Sequence, residues 1–147
     1  MMKRNVLTVV LPIALVCIGA LQARSEDDRG CSKESLNGSY GFQITGSIPG
    51  TLAIAGIARV VFDGQGNFTQ KGDSLINVIG HAPMRSLGQL GTGTYTVDPD
   101  CTGTETLTVG GQVHNSTFVL VNRGRKVLDT SVDLVPGVVL TGVGEKQ

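Results

Sequence analysis

From residue 39 onward, hydrophobic and polar side chains alternate along the chain with a period of two. Tyr40, Phe42 and Ile44 share one face, Ala58, Val60 and Phe62 another, and Leu107 with Val109 lies opposite Thr104, Thr106 and Thr108. Successive side chains of an extended chain point to opposite faces, so this alternation predicts half-buried strands. No useful length of sequence repeats at helical spacing. Turn formers interrupt the pattern at Pro49-Gly50, Asp63-Gly64-Gln65-Gly66, Gly80-His81-Ala82-Pro83, Asp98-Pro99-Asp100, Gly110-Gly111, Asn122-Arg123-Gly124 and Pro136-Gly137. These seven turns predict eight strands, over 39–48, 51–62, 66–79, 84–97, 103–109, 112–121, 125–133 and 138–144.

Eight sequential strands with short connections leave two all-β solutions, an eight-stranded antiparallel up-and-down barrel or a two-sheet β-sandwich. Closure removes exposed sheet edges, and short connections suit pairing between neighbours, so the barrel is favoured and the sandwich is the alternative. The strand over 84–97 carries Gly88, Gly91 and Gly93, which predicts a bend or bulge at a barrel corner.

The amino end departs from this pattern. Lys3 and Arg4 precede a nearly unbroken apolar run from Val6 to Leu21, followed by Ala23-Arg24-Ser25. A basic segment, an apolar segment and small residues at the cut are the parts of a secretory signal peptide, here 1–25. An uncleaved anchor is the alternative, but the run is short for a membrane span, which takes about 20 apolar residues. Ala14-Leu15-Val16 before Cys17 does not make a lipobox. Cleavage leaves a polar segment over 26–37 and a barrel domain over 38–147, with no stable membrane anchor.

Loss of the leader changes the cysteine arithmetic. Of the three cysteines, Cys17 leaves and Cys31 and Cys101 remain. An even pair in an oxidising compartment predicts a disulfide, which would tie the segment over 26–37 across one barrel end. A metal-binding or reactive thiol is the competing reading. It lacks a CxxC motif, and the two histidines, His81 and His114, stand far apart in the chain.

Charge and composition narrow the function classes. The leader takes Lys3, Arg4 and Arg24, so the exported chain is mildly acidic, and its single basic knot, Arg123-Gly124-Arg125-Lys126, reads as a solvated hairpin turn. Nucleic acid is not an expected partner. Neither a metal nor another cofactor is expected. The absence of Trp, with only two Tyr and four Phe, leaves little with which to grip a flat ligand.

Four runs, "CSKESLNGSYGFQITG", "VVFDGQGNFT", "GTGTYTVDPDCTGTETLTV" and "FVLVNRGRKVLDT", give the chain a further identity. It resembles a group of small secreted bacterial proteins, found in soil lineages such as acidobacteria, that read as lipocalin-like or allene-oxide-cyclase-like barrels. The resemblance spans nearly the whole exported chain. It implies fold and export, and it implies no particular activity, because barrels of this kind host binders, cyclases and structural modules alike.

Candidate chemistry therefore rests on single residues. Glu105 shares its face with Leu107 and Val109, so a lumen-facing strand would place a carboxyl in apolar surroundings, where it could act as an acid or orient a ligand; the plainer reading puts it outside, near the rim. Arg59 alternates with Ile57 and Val61 and is the candidate to neutralise such an acid, or else a surface residue. Tyr40, Phe42 and Tyr95 complete the candidate ligand-binding set. Asp129 and Asp133 read as the wet face of a strand. His81 and His114 are available bases without sequence-local partners, and no serine lies in a nucleophile elbow. Three readings follow: a non-catalytic barrel binding a small apolar ligand, a structural or interaction module of the cell envelope, and a cyclase or isomerase using a lumen carboxylate. Binding is placed first and catalysis last.

Overall fold

The structure, a computed structural model, describes residues 30–132 and 138–147. The expected signal peptide over 1–25, the residues up to 29, Asp133 and the Pro136-Gly137 turn lie outside the described residues. A short 3-10 turn, Lys33–Ser35, leads into eight strands: β1 (Asn37–Ile48), β2 (Leu52–Asp63), β3 (Asn67–Val78), β4 (Met84–Val97), β5 (Thr102–Val109), β6 (Gln112–Val121), β7 (Lys126–Ser131) and β8 (Val139–Lys146). Each pairs antiparallel with its chain neighbours, and β8 pairs with β1 from Tyr40↔Lys146 to Ser47↔Val139, so the sheet closes into an up-and-down barrel. The period-two alternation is thus satisfied by closure: one face of each described strand lines the lumen, with the inward phase of β4 switching where Gly72 pairs with Gln89 but Ser74 with Ser86. Among the described residues no row of backbone donors is left along a sheet edge.

Local chemistry sets the turns. Val109 pairs with Gln112, leaving Gly110-Gly111 as a two-residue loop with both φ positive (58° and 79°), the geometry a type I′ hairpin requires. Asp63 closes the β2–β3 turn by accepting the backbone N–H groups of Gln65 and Asn67 and the Asn67 side-chain amide, bonds that hold its carboxyl down at about 2. The expected irregularity of β4 is present. Pairing with β3 shifts register between Gly72 and Ser74, and the extra β4 residue sits near Gly88, whose φ is 60° and whose N–H donates to Asp73 Oδ1 at 2.6 Å.

The lumen is packed at one pole. All six Phe and Tyr side chains of the sequence are buried there, around Phe62, which meets Tyr40 and Tyr95 edge-on at 5.3 and 5.2 Å between ring centres. Three of the phenylalanines lie against glycines directly across the sheet: Phe42 opposite Gly144, Phe68 opposite Gly93 and Phe118 opposite Gly103. A Cβ at any of these glycines would overlap the facing ring, so the missing side chains are what let large rings turn inward in a narrow barrel.

The leading segment caps this pole. Leu36 is fully buried, and the Tyr95 hydroxyl lies 3.0 and 2.9 Å from the carbonyl oxygens of Lys33 and Leu36. Tyr40 donates to the Gly124 carbonyl from the other side. Cys31 is bonded to Cys101, with Cα atoms 4.9 Å apart, and the Cys31 N–H also donates to the Pro99 carbonyl at 3.1 Å. Cys101 reaches this position from a turn in which it adopts φ 69° and donates to Asp98 O, while Asp100 accepts both the N–H and the hydroxyl of Thr102. The disulfide fits an oxidising environment.

Candidate functional site

Above the aromatic floor the barrel is hollow. A cavity of about 270 Å³ occupies the half of the lumen away from the cap, toward the Pro49-Gly50, Gly80-Pro83 and Gly110-Gly111 turns. Phe42 and Phe68 form its base.

Its two sides differ in chemistry. On β1, β2 and β8 the lining is aliphatic, from Ile44, Ile54, Ala58, Val60 and Leu140. On β5, β6 and β7 the polar groups gather, Glu105, His114 and Ser116, Asp129 and Ser131, beside the aliphatic Leu107 and Val109 of β5. Gln70 of β3 and Gln89 of β4 extend the polar side. Register explains the grouping, because Glu105 pairs with Ser116 and Ser116 with Ser131, one lumen-facing row across three strands. The next row down pairs Gly103 with Phe118 and Phe118 with Asp129.

Two carboxyls dominate the electrostatics. Burial, reinforced by the nearby Asp129 charge, pushes Glu105 up to about 7. Burial also raises Asp129, against the opposing effect of the Gly142 backbone N–H, which favours its charged form. Asp129 lies directly across from Gly142, where a Cβ would overlap the carboxylate, so the residue that faces it supplies both a donor and the space. Glu105 makes no hydrogen bond or ion pair with any described residue, and neither Lys nor Arg is among the cavity's described lining. Together the two carboxyls offer acceptors to a cation from outside.

Of the residues expected from sequence, Glu105 and Phe42 line the cavity. Tyr40 and Tyr95 point into the lumen but belong to the floor, their hydroxyls committed to backbone carbonyls and their phenols raised first of all by burial. Arg59 departs from expectation. Its parity, shared with Ile57 and Val61, is the outer one, and its guanidinium donates to the Ser39 hydroxyl on the outside wall at 2.9 Å. It does not neutralise the lumen acids. His81 is exposed in its turn, whereas His114 faces the cavity.

Asp129, expected on the wet face of its strand, instead lines the cavity. The sequence carried a signal for this: Asp129 has the parity of Val127, which is 1% exposed, and a polar residue in phase with a core valine belongs to the same face. Gln70 and Gln89 carry no comparable mark.

No protein-family model matches the chain, and no curated protein or solved structure is significantly similar to it.

Proposed function

We propose that this is an exported carrier or sensor that holds a small, largely apolar molecule in the open half of its barrel without transforming it. The observation that supports this most directly is the cavity of about 270 Å³ set above a rigid floor. Small-molecule sites are concave and mostly apolar with a few placed polar groups, and this lumen has that composition. A volume in which the core rings stop short, although six aromatic side chains were available to fill it, is not what a purely structural module requires. The outer wall is mixed: β1 presents Gln43, Thr45 and Ser47 outward and β5 presents Thr104, Thr106 and Thr108, while Ile57, Leu75, Leu87, Leu90 and Val113 are also exposed.

Isomerisation or cyclisation of the bound molecule is the second reading. It rests on Glu105, whose position near neutrality suits proton transfer.

Native mass spectrometry of protein secreted by its own producing cell tests both. A reproducible adduct that is lost on substituting Ile54→Trp at the cavity wall supports binding. An adduct whose mass stays constant while its structure changes on incubation supports isomerisation. Bare protein from fresh preparations, with Ile54→Trp as stable as the parent, refutes both.

A further inference from the structure

The two-sided lumen narrows the class of ligand, on the footing that the lumen binds one. We propose that the ligand is a compact hydrophobic amine, its ammonium nitrogen resting between Glu105 and Asp129 and its hydrocarbon body lying on the aliphatic wall of β1 and β2.

Three features of the cavity point this way. The first is that the carboxyls are confined to one side of an otherwise largely aliphatic lining, with Ile44, Ile54 and Val60 facing Glu105 and Asp129 and Leu107 and Val109 continuing the apolar surface on β5, which selects a molecule that is apolar but for one polar end. The second is that the acidic side lacks a counter-charge. Arg59, the basic residue nearest in sequence logic, is on the outer wall, and no described Lys or Arg lines the cavity. Charges in an enclosed apolar site are costly unless paired, so the empty lumen stands to gain from a cation delivered by a ligand. The third is that Asp129 is held in place: Gly142 leaves room for its carboxylate and directs a backbone N–H at it, so the acceptor is positioned before a ligand arrives. Glu105, which makes no hydrogen bond with a described residue, is the open member of the pair.

An organic ammonium suits the site better than a metal ion. Among the described residues, no three His, Cys, Asp or Glu side chains converge as a metal site would need. An ammonium needs fewer acceptors, and Ser116 and His114 stand on the adjoining strand to complete its shell. Size sets the limit. A cavity of about 150 Å³ accepts benzene, so 270 Å³ fits a molecule of roughly ten non-hydrogen atoms.

The test is calorimetric titration of the disulfide-bonded protein with heptylamine, heptanol and heptanoate near pH 8, above the value of about 7 to which burial pushes Glu105. The amine is expected to bind at least about tenfold more tightly than the alcohol, with the carboxylate weakest. In Glu105→Gln and Asp129→Asn combined, the gap between amine and alcohol should shrink to about threefold or less while heptanol affinity stays as it was, which also shows that the variant is folded. Equal binding of amine and alcohol by the parent protein would overturn the amine assignment and leave lumen binding standing. An amine preference that survives in the double variant would overturn the placement of the nitrogen. Failure of all three probes would remove the binding reading itself.

Discussion

Asp129 of β7 and Gly142 of β8 face each other across the sheet, and the space left by the absent Cβ is occupied by the carboxylate. A methyl group there forces either the carboxylate or the strand to move. Gly142→Ala should therefore destabilise the barrel by about 1–3 kcal/mol, as overpacking of a filled interior does. Combining it with Asp129→Ala removes the clash, so the double variant should be more stable than the sum of the single effects. Urea denaturation of the four proteins measures this coupling, and strict additivity would show that the two residues do not compete for one volume.

Burial of Glu105 makes stability fall as pH rises. Its carboxyl titrates near 7 in the folded chain and near 4.5 in a model peptide, so between these values the folded state binds more protons than the unfolded one. The contribution is fully present below about pH 4.5, declines through the interval and is gone above 7, a span worth up to about 3 kcal/mol. Asp129 acts in the same direction. Asp63 is charged in both states over this range and is silent. Urea midpoints between about pH 5 and pH 8 should therefore decline in the parent and decline less in Glu105→Gln.

The cap is expected to carry much of the net stability. The Cys31–Cys101 bond spans 70 residues, and closing a loop of that length is worth about 4 kcal/mol in the chain-entropy account. Replacing both cysteines with serine should lower the denaturation midpoint accordingly, and thiol titration of the unreduced parent should find neither sulfhydryl free. An unchanged midpoint would mean that the cap holds by packing alone.

Hydrogen bonding beneath the cap can be separated from the disulfide. Tyr95→Phe leaves the buried Leu36 carbonyl without the hydroxyl 2.9 Å away, at a cost of about 1–2 kcal/mol, while the ring stays against Phe62. Hydrogen exchange should then rise at Leu36 and in the 3-10 turn before it rises in the strands. Uniform loosening would argue against a locally tied cap.

The strands were legible because period-two alternation and turn residues are local signals, and closure followed from short connections. Boundaries moved by one or two residues at most strand ends: the first strand begins at Asn37 and the seventh is described only to Ser131. The site was half legible. Glu105 could be placed on the face of Leu107, but which face was inner depended on closure, a property of all eight strands together. Arg59 failed for the same reason: Ile57 and Val61, the apolar neighbours that suggested an inner face, are 64% and 38% exposed, while Ala58 and Val60 between them are buried. In β2 both parities are hydrophobic, so alternation alone does not choose between them. The gathering of the polar groups on β5, β6 and β7 had no signature along the chain, because it joins residues that meet only through register.

Both ends of the described chain lie at one pole. Gly30 packs beside Pro99 and the Gln147 N–H donates to the Ser39 carbonyl, so the described chain enters and leaves at the capped pole. A tether, tag or solid support attached at Gln147 would leave the rim of hairpins pointing away from the attachment. Immobilised copies would keep their cavities accessible and could be loaded, washed and eluted as an affinity matrix for whatever the lumen retains.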